Sequence, residues 1–142
     1  GVHVDHASRC HATQGHPVYR YHFRAVPASS EQTAGAFHAA EVLYVFDTSF
    51  PLVPIPVNAH LLVREMGDRW FAFAATGVPE TPGREPWPPY DPDTAKQMVF
   101  DRPRSAVQDC PSQPGLELMR ERVAWLTGEL ASATIEPAPV SI

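Results

Sequence analysis

No stretch of the 142-residue chain approaches the ~18 consecutive apolar residues needed to cross a bilayer, and its start carries no signal-peptide pattern. Basic residues are also few. Eleven Lys and Arg against 16 Asp and Glu leave a formal charge of −5, which disfavours an electrostatic nucleic-acid binder. Cysteine is limited to Cys10 and Cys110, a hundred positions apart and outside any metal or redox spacing, so they stand open as free or paired thiols. Strand-like segments are scarce as well. A strand needs neighbours for its backbone groups, and only one convincing candidate and one short companion can be found.

The 44% apolar content with 19% charged residues belongs to a globular chain. Its length is that of one ordinary domain, able to remove roughly 68–70% of its unfolded surface from water. Proline is in excess, with 16 residues, about double the usual ~5% share. The chain opens on Gly1 and not on methionine, from which it is expected to be processed, trimmed or cut from something longer.

Val4 to Gln14 is polar and histidine-rich, and reads as a short surface helix stopped by Gly15 and Pro17. Pro17 to Arg24 alternates, with Tyr19, Tyr21 and Phe23 on one face and Arg20, His22 and Arg24 on the other, as a half-buried strand does. Ala95 to Phe100 reads as a second, short strand. Val42 to Phe46 is an apolar run expected to be buried, helix or strand. Asn58 is the expected N-cap of a helix to about Thr76, with Leu62, Met66, Trp70, Phe73 and Ala74 forming its apolar stripe and Gly77 ending it. Val78 to Pro92 is an ordered, proline-rich crossing of the surface. A last helix is expected from Leu116 to about Leu130, with Leu116, Met119, Val123, Leu126 and Leu130 on one side.

Of seven histidines, His3, His6, His11, His16 and His22 crowd the first 22 residues without matching a zinc spacing, and are expected to be solvated and silent. No metal and no cofactor is expected. His38 is placed differently. It follows a strand by a loop, with Gly35 before it and Ala39 and Ala40 after it, which leaves bare backbone around an imidazole as catalysis requires.

Gly35-Ala36-Phe37-His38-Ala39-Ala40-Glu41-Val42-Leu43-Tyr44-Val45-Phe46 resembles the segment bearing the catalytic histidine in type-B carboxylesterases, the family of cholinesterases and bacterial para-nitrobenzyl esterases. Three further motifs follow the family's order. These are Val18-Tyr19-Arg20-Tyr21-His22-Phe23, the W-x-x-F-A-x-T-G-x-P pattern from Trp70 to Pro79, and Trp87-Pro88-Pro89-Tyr90. The resemblance covers roughly residues 15 to 101 and implies an α/β fold: the C-terminal portion of an α/β-hydrolase fold. One or two strands with flanking helices would then form an incomplete sheet, all 142 residues being one part of a carboxylesterase domain.

The resemblance implies a serine carboxylic ester hydrolase in which His38 is the general base and a small-molecule carboxylic ester the substrate. The nucleophile and the acidic member would come from an upstream portion of the same fold, because the chain has no Gly-x-Ser-x-Gly turn and no Gly-Gly segment. Glu41 is too near His38 to be the acidic member; it is expected to be structural, capping a helix or pairing with an arginine. Phe37 and Phe46 are expected to be buried packing. Ala39 stands where the family usually has glycine, an awkward replacement if the backbone there has positive φ. Two other readings are a cholinesterase-like module that binds without catalysis, or an inactive fragment, and a small metal-binding protein using the N-terminal histidines.

Overall fold

The computed structural model describes residues 2–26, 35–48, 55–110, 118–119, 121–126 and 128. Its elements are α1 (Val2–Thr13), β1 (Tyr21–Phe23), α2 (Ala40–Val45), a 3₁₀ turn (Val57–Ala59), α3 (His60–Thr76), β2 (Lys96–Phe100) and β3 (Ala106–Asp109). The strands form one sheet in the order β1-β2-β3, parallel between β1 and β2 and antiparallel between β2 and β3. One or two strands were expected; the third, β3, escapes a sequence reading because its four residues carry only two apolar side chains, both half-buried.

Helix α1 has the expected extent, but it is more than a surface helix. Asp5 is almost fully buried and accepts from Arg20 Nη1 at 3.0 Å and from Arg9 Nε at 3.3 Å. The guanidinium of Arg20 in turn lies 4.6 Å from the centre of the Tyr90 ring. A polar helix is thus held to the sheet by charge where apolar contact is scarce.

The expected strand from Pro17 to Arg24 is regular only over Tyr21–Phe23, paired with Met98, Val99 and Phe100. Upstream the backbone bonds continue with other partners. Val18 O accepts from Tyr90 N at 2.6 Å, and Arg20 O accepts from both Met98 N and the Trp87 indole at 3.0 Å. The proline-rich crossing therefore satisfies groups that a further strand would otherwise have to bond.

The core lies between the sheet and α2 with α3. Phe23, Met98 and Phe100 from the sheet meet Leu43 and Tyr44 of α2 and Leu62, Val63 and Met66 of α3. Val42 to Phe46 is helical, and only part of that run is buried. A helix turns successive residues by about 100°, so Leu43 and Tyr44 face inward while Val42 and Phe46 stay exposed. Helices α2 and α3 approach closely at Gly67, where a Cβ would come within 3.5 Å of Val45 O.

Two details of α3 depart from expectation. Asn58 is not its cap: the preceding residue is Ala59, with no side-chain capping bond, and Asn58 Oδ1 accepts instead from Arg102 Nη1 at 2.6 Å. The buried side is also more polar than the Leu62–Met66–Trp70–Phe73–Ala74 stripe. Glu65 and Arg69 are buried while Phe73 and Ala74 are exposed. Gly77 does end the helix in a left-handed conformation, φ 78°, its N–H bonded to Phe73 O at 2.8 Å.

Arg69 has no exposed surface. Its Nε donates to Glu65 Oε1 at 3.2 Å, Nη1 to Pro79 O at 3.2 Å and Nη2 to Glu85 O at 2.6 Å. Glu65 Oε2 also accepts from Ser105 Oγ at 3.0 Å, which ties α3 to the start of β3. Over the guanidinium sits Trp87, within an aromatic cluster of Tyr19, Tyr21, Trp70, Trp87 and Phe100.

Residues 118–119, 121–126 and 128 are helical, as expected, while Leu116 and Leu130 lie outside the described residues. Of the expected stripe, Met119 and Leu126 are exposed and Val123 is half-buried.

Replacing Arg69 by Ala should leave the Glu65 carboxylate buried without its cation, and should lower unfolding stability by about 3–5 kcal/mol in urea titrations. A loss below about 1 kcal/mol would show that the proline-rich segment is held by its aromatic residues alone.

Candidate functional site

The loop that carries His38 follows β1 and ends at α2. Gly35 takes φ +81°, a conformation that side chains resist. Phe37 to Ala40 then form a tight turn closed by Ala40 N donating to Phe37 O at 3.1 Å. Ala39, third in that turn, has φ 63° and ψ 17°, the position that type II turns reserve for glycine. The strain anticipated at this residue is present, at a cost of roughly 1 kcal/mol. Its effect is to project His38 from the turn with small neighbours on its C-terminal side.

His38 is exposed and lines an open groove of about 380 Å³. One wall is the extended segment from Val18 to Phe23, another the loop from Ala36 to Ala39, and Val4 and Ser8 of α1 close a third side. Ser8 spends its hydroxyl on Val4 O at 2.7 Å, which leaves it no free role as a nucleophile. Phe37 was expected to be buried, yet it is 44% exposed and lines this groove; Phe46, also expected inside, is 70% exposed. Both sit where local geometry turns them outward, Phe37 in the turn and Phe46 just past α2.

Glu41 lies in the first turn of α2 but no side-chain bond caps that helix, and among the described residues it forms no ion pair with an arginine. Its Oε1 lies 3.5 Å from the hydroxyl of Tyr21, the residue that opens β1. Burial, the nearby Glu41 charge and this hydrogen bond, in that order, push the Tyr21 phenol above its ordinary value. The contact ties the first turn of α2 back to the strand, so the two ends of the His38 loop are joined by a side-chain bond as well as by the chain. Sequence spacing hid this pair, because residues twenty positions apart meet only through tertiary structure.

The other histidines stand apart from this turn. His3, His6 and His11 lie on α1, His16 follows it, and His60 begins α3; all are exposed. His22 shares the groove lining with His38. No group of three or more metal-ligating side chains converges among the described residues. Neither cysteine is in a disulfide.

His38 is thus a loop histidine just before α2, presented by a strained turn to an open groove. The family model for the carboxylesterase family matches residues 2–118. The chain belongs to this family. The match extends on both sides of the 15–101 stretch whose motifs show by eye, taking in α1 and the sheet as far as β3. Among curated proteins the chain is similar to carboxylesterase 5A of Homo sapiens, 37% identical over 94 residues, which cover 59% of this chain and 16% of that protein. A medium-chain fatty acyl-CoA hydrolase precursor of Anas platyrhynchos is 33% identical over 90 residues, covering 61% of the chain and 16% of the relative. The chain thus spans about a sixth of the length of these relatives.

Solved structures agree. An esterase from anaerobic Clostridium hathewayi that can hydrolyze aliphatic aromatic polyesters superposes with a TM-score of 0.63 at 29% identity, over 71% of this chain and 20% of that one. The Geobacillus stearothermophilus carboxylesterase gives 0.57 at 32% identity, over 80% and 23%. The three strands and their helices are therefore the C-terminal portion of an α/β-hydrolase fold, its sheet incomplete within this chain.

Ala39→Gly should relieve the turn and raise stability by up to about 1 kcal/mol, seen as a higher denaturant midpoint at unchanged slope. An unchanged or lower midpoint would mean that the freedom glycine gains in the unfolded chain outweighs the relief. A second expectation concerns pH. With its phenol raised, Tyr21 holds its proton in the folded state where the unfolded chain has released it, so stability is full below pH ~10 and falls above it. Tyr21→Phe should flatten that fall without abolishing it, because burial raises the Tyr44 phenol too. An alkaline limb of unchanged steepness in Tyr21→Phe would contradict the assignment.

Proposed function

We propose that this chain supplies the general-base histidine, His38, of a serine carboxylic ester hydrolase. The serine nucleophile and its acidic partner would come from an upstream portion of the same fold. The observation that carries the reading is the strained, solvent-open turn of residues 37–40, which offers the His38 imidazole to a groove between α1 and β1.

In the reaction so assigned, His38 takes the proton of the serine hydroxyl as the oxygen attacks the acyl carbon. It then gives that proton to the departing alcohol, afterwards draws a proton from the attacking water, and returns it to the serine oxygen as the acid leaves. An imidazole suits both directions because its ordinary pKa near ~6.5 allows it to gain and lose charge around neutral pH. The substrate is a small carboxylic ester. Fatty acyl-CoA and aliphatic aromatic polyesters, the substrates in the names of two similar proteins, share with it an acyl carbon open to such attack.

The chain by itself is expected to be inactive. Its eight serines include none flanked by glycines in the Gly-x-Ser-x-Gly arrangement. Alone, it should hydrolyse p-nitrophenyl acetate no faster than free imidazole at equal concentration; saturable turnover with a nitrophenol burst would point to another nucleophile.

Combined with the upstream portion of a bacterial relative, the chain should give an esterase in which His38→Ala lowers kcat by roughly 10⁴–10⁶ with little change in KM. His3→Ala, His11→Ala, His16→Ala and His60→Ala should stay within a few-fold of the parent. An active His38→Ala enzyme, with turnover lost in one of the others, would remove His38 from its role.

A further inference from the structure

A second cavity, of about 170 Å³, lies where α3, the extended residues before β1 and the proline-rich crossing meet. Five of its lining residues are aromatic: Tyr19, Tyr21, Trp70, Phe73 and Trp87. Arg69 and Pro79 complete the lining. Edge-on contacts link the rings into one chain. Between ring centres, Phe73 lies 5.8 Å from Tyr19, Tyr19 lies 6.0 Å from Trp87, Trp87 lies 6.2 Å from Tyr21, and Tyr21 lies 5.1 Å from Trp70. Each ring is pinned by its neighbours, so the walls are formed in advance of any ligand.

We propose that this cavity binds a small uncharged molecule carrying a single aromatic ring. Size is the first argument, since an apolar cavity of ~150 Å³ holds one benzene molecule. Polarity is the second. The Trp87 indole donates to Arg20 O at 3.0 Å, and the Tyr21 hydroxyl donates to Glu41 Oε1 at 3.5 Å. The Arg69 nitrogens donate to Glu65 and to the carbonyls of Pro79 and Glu85. With these polar atoms engaged elsewhere, the walls chiefly offer ring faces and edges. A sixth ring can repeat the edge-on geometry of the other five, at centre separations of about 4.5–7 Å.

Charge narrows the choice further. Aromatic walls alone would also suit an ammonium ion, but here a guanidinium stands among them and repels a second cation. An anion gains little from Arg69, because Glu65 already balances it on the same helix. A neutral ring meets neither cost. Arg69, Pro79 and Trp87 are buried whereas Tyr21 and Phe73 are exposed, so the cavity opens to solvent on the side of the last two. The inference does not rest on His38 or on the esterase reading, and its readout needs no activity.

The test is titration of the isotope-labelled 142-residue chain with benzene, following the indole N–H resonances. We expect saturable shifts at Trp70 and Trp87, with Trp125, which is not part of the lining, unmoved. Phe73→Ala should weaken binding about three- to tenfold, the loss of one ring-on-ring contact. Phe71→Ala, exposed on the same helix but outside the lining, should match the parent. Circular dichroism confirms that both variants keep their helices. Cross-relaxation from benzene protons to the Tyr19 or Tyr21 ring is a second expected sign. Cyclohexane, more hydrophobic but without a π face, should bind less tightly than benzene, and tetramethylammonium less tightly still. Shifts that do not saturate, equal shifts at all three tryptophans, or undiminished affinity in Phe73→Ala would overturn the proposal. So would cyclohexane or tetramethylammonium binding as tightly as benzene.

Discussion

A guanidinium with no exposed surface organises this portion of the fold. Arg69 projects from α3 into a segment that has no regular structure of its own, and binds two backbone carbonyls of that segment, Pro79 and Glu85. A proline-rich stretch lacks N–H donors and cannot hold itself by a ladder. The arginine fork supplies the missing donors from outside, and Glu65 balances the charge on the same helix. Once the crossing is fixed, Trp87 and Tyr90 reach the extended residues before β1 and bond or are bonded by them. The strand that leads to the His38 loop is thus positioned partly by a helix with which it shares no ladder.

Much of the architecture is legible in the sequence where local chemistry dictates it. Helix α3 follows from its apolar spacing and the glycine that ends it, α1 from a polar segment stopped by Gly15 and Pro17, and β2 from a short strand-like run. What escapes reading is non-local. Asn58 has the chemistry of a cap, but Arg102, 44 positions away, claims its oxygen. Glu65 and Arg69 at i and i+4 look like an ordinary exposed ion pair until tertiary structure covers them. Tyr21 and Glu41, twenty positions apart, meet only when the first turn of α2 packs beside β1.

The site divides in the same way. The histidine-bearing turn is legible because its residues are contiguous and their types are unusual together. Its conformational strain was foreseeable from a single residue, Ala39, placed where the chain bends into the left-handed region. The groove is not legible at all, since it is assembled from α1, the extended segment and the loop. Likewise the outward turn of Phe37 depends on the local backbone, and hydrophobicity alone argues the opposite.

The parallel pairing of β1 with β2 has a consequence for how the molecule assembles. Tyr21 meets Met98 across about 77 intervening steps of chain, whereas β2 and β3 are joined by a short connection and α2 lies close in sequence to α3. Loop-closure entropy and contact order both place so distant a contact late on the folding route, after the hairpin and the helix pair have formed. The groove beside His38 is therefore expected to close late, when the β1 wall arrives, although the turn of residues 37–40 adjoins α2 and can form with it.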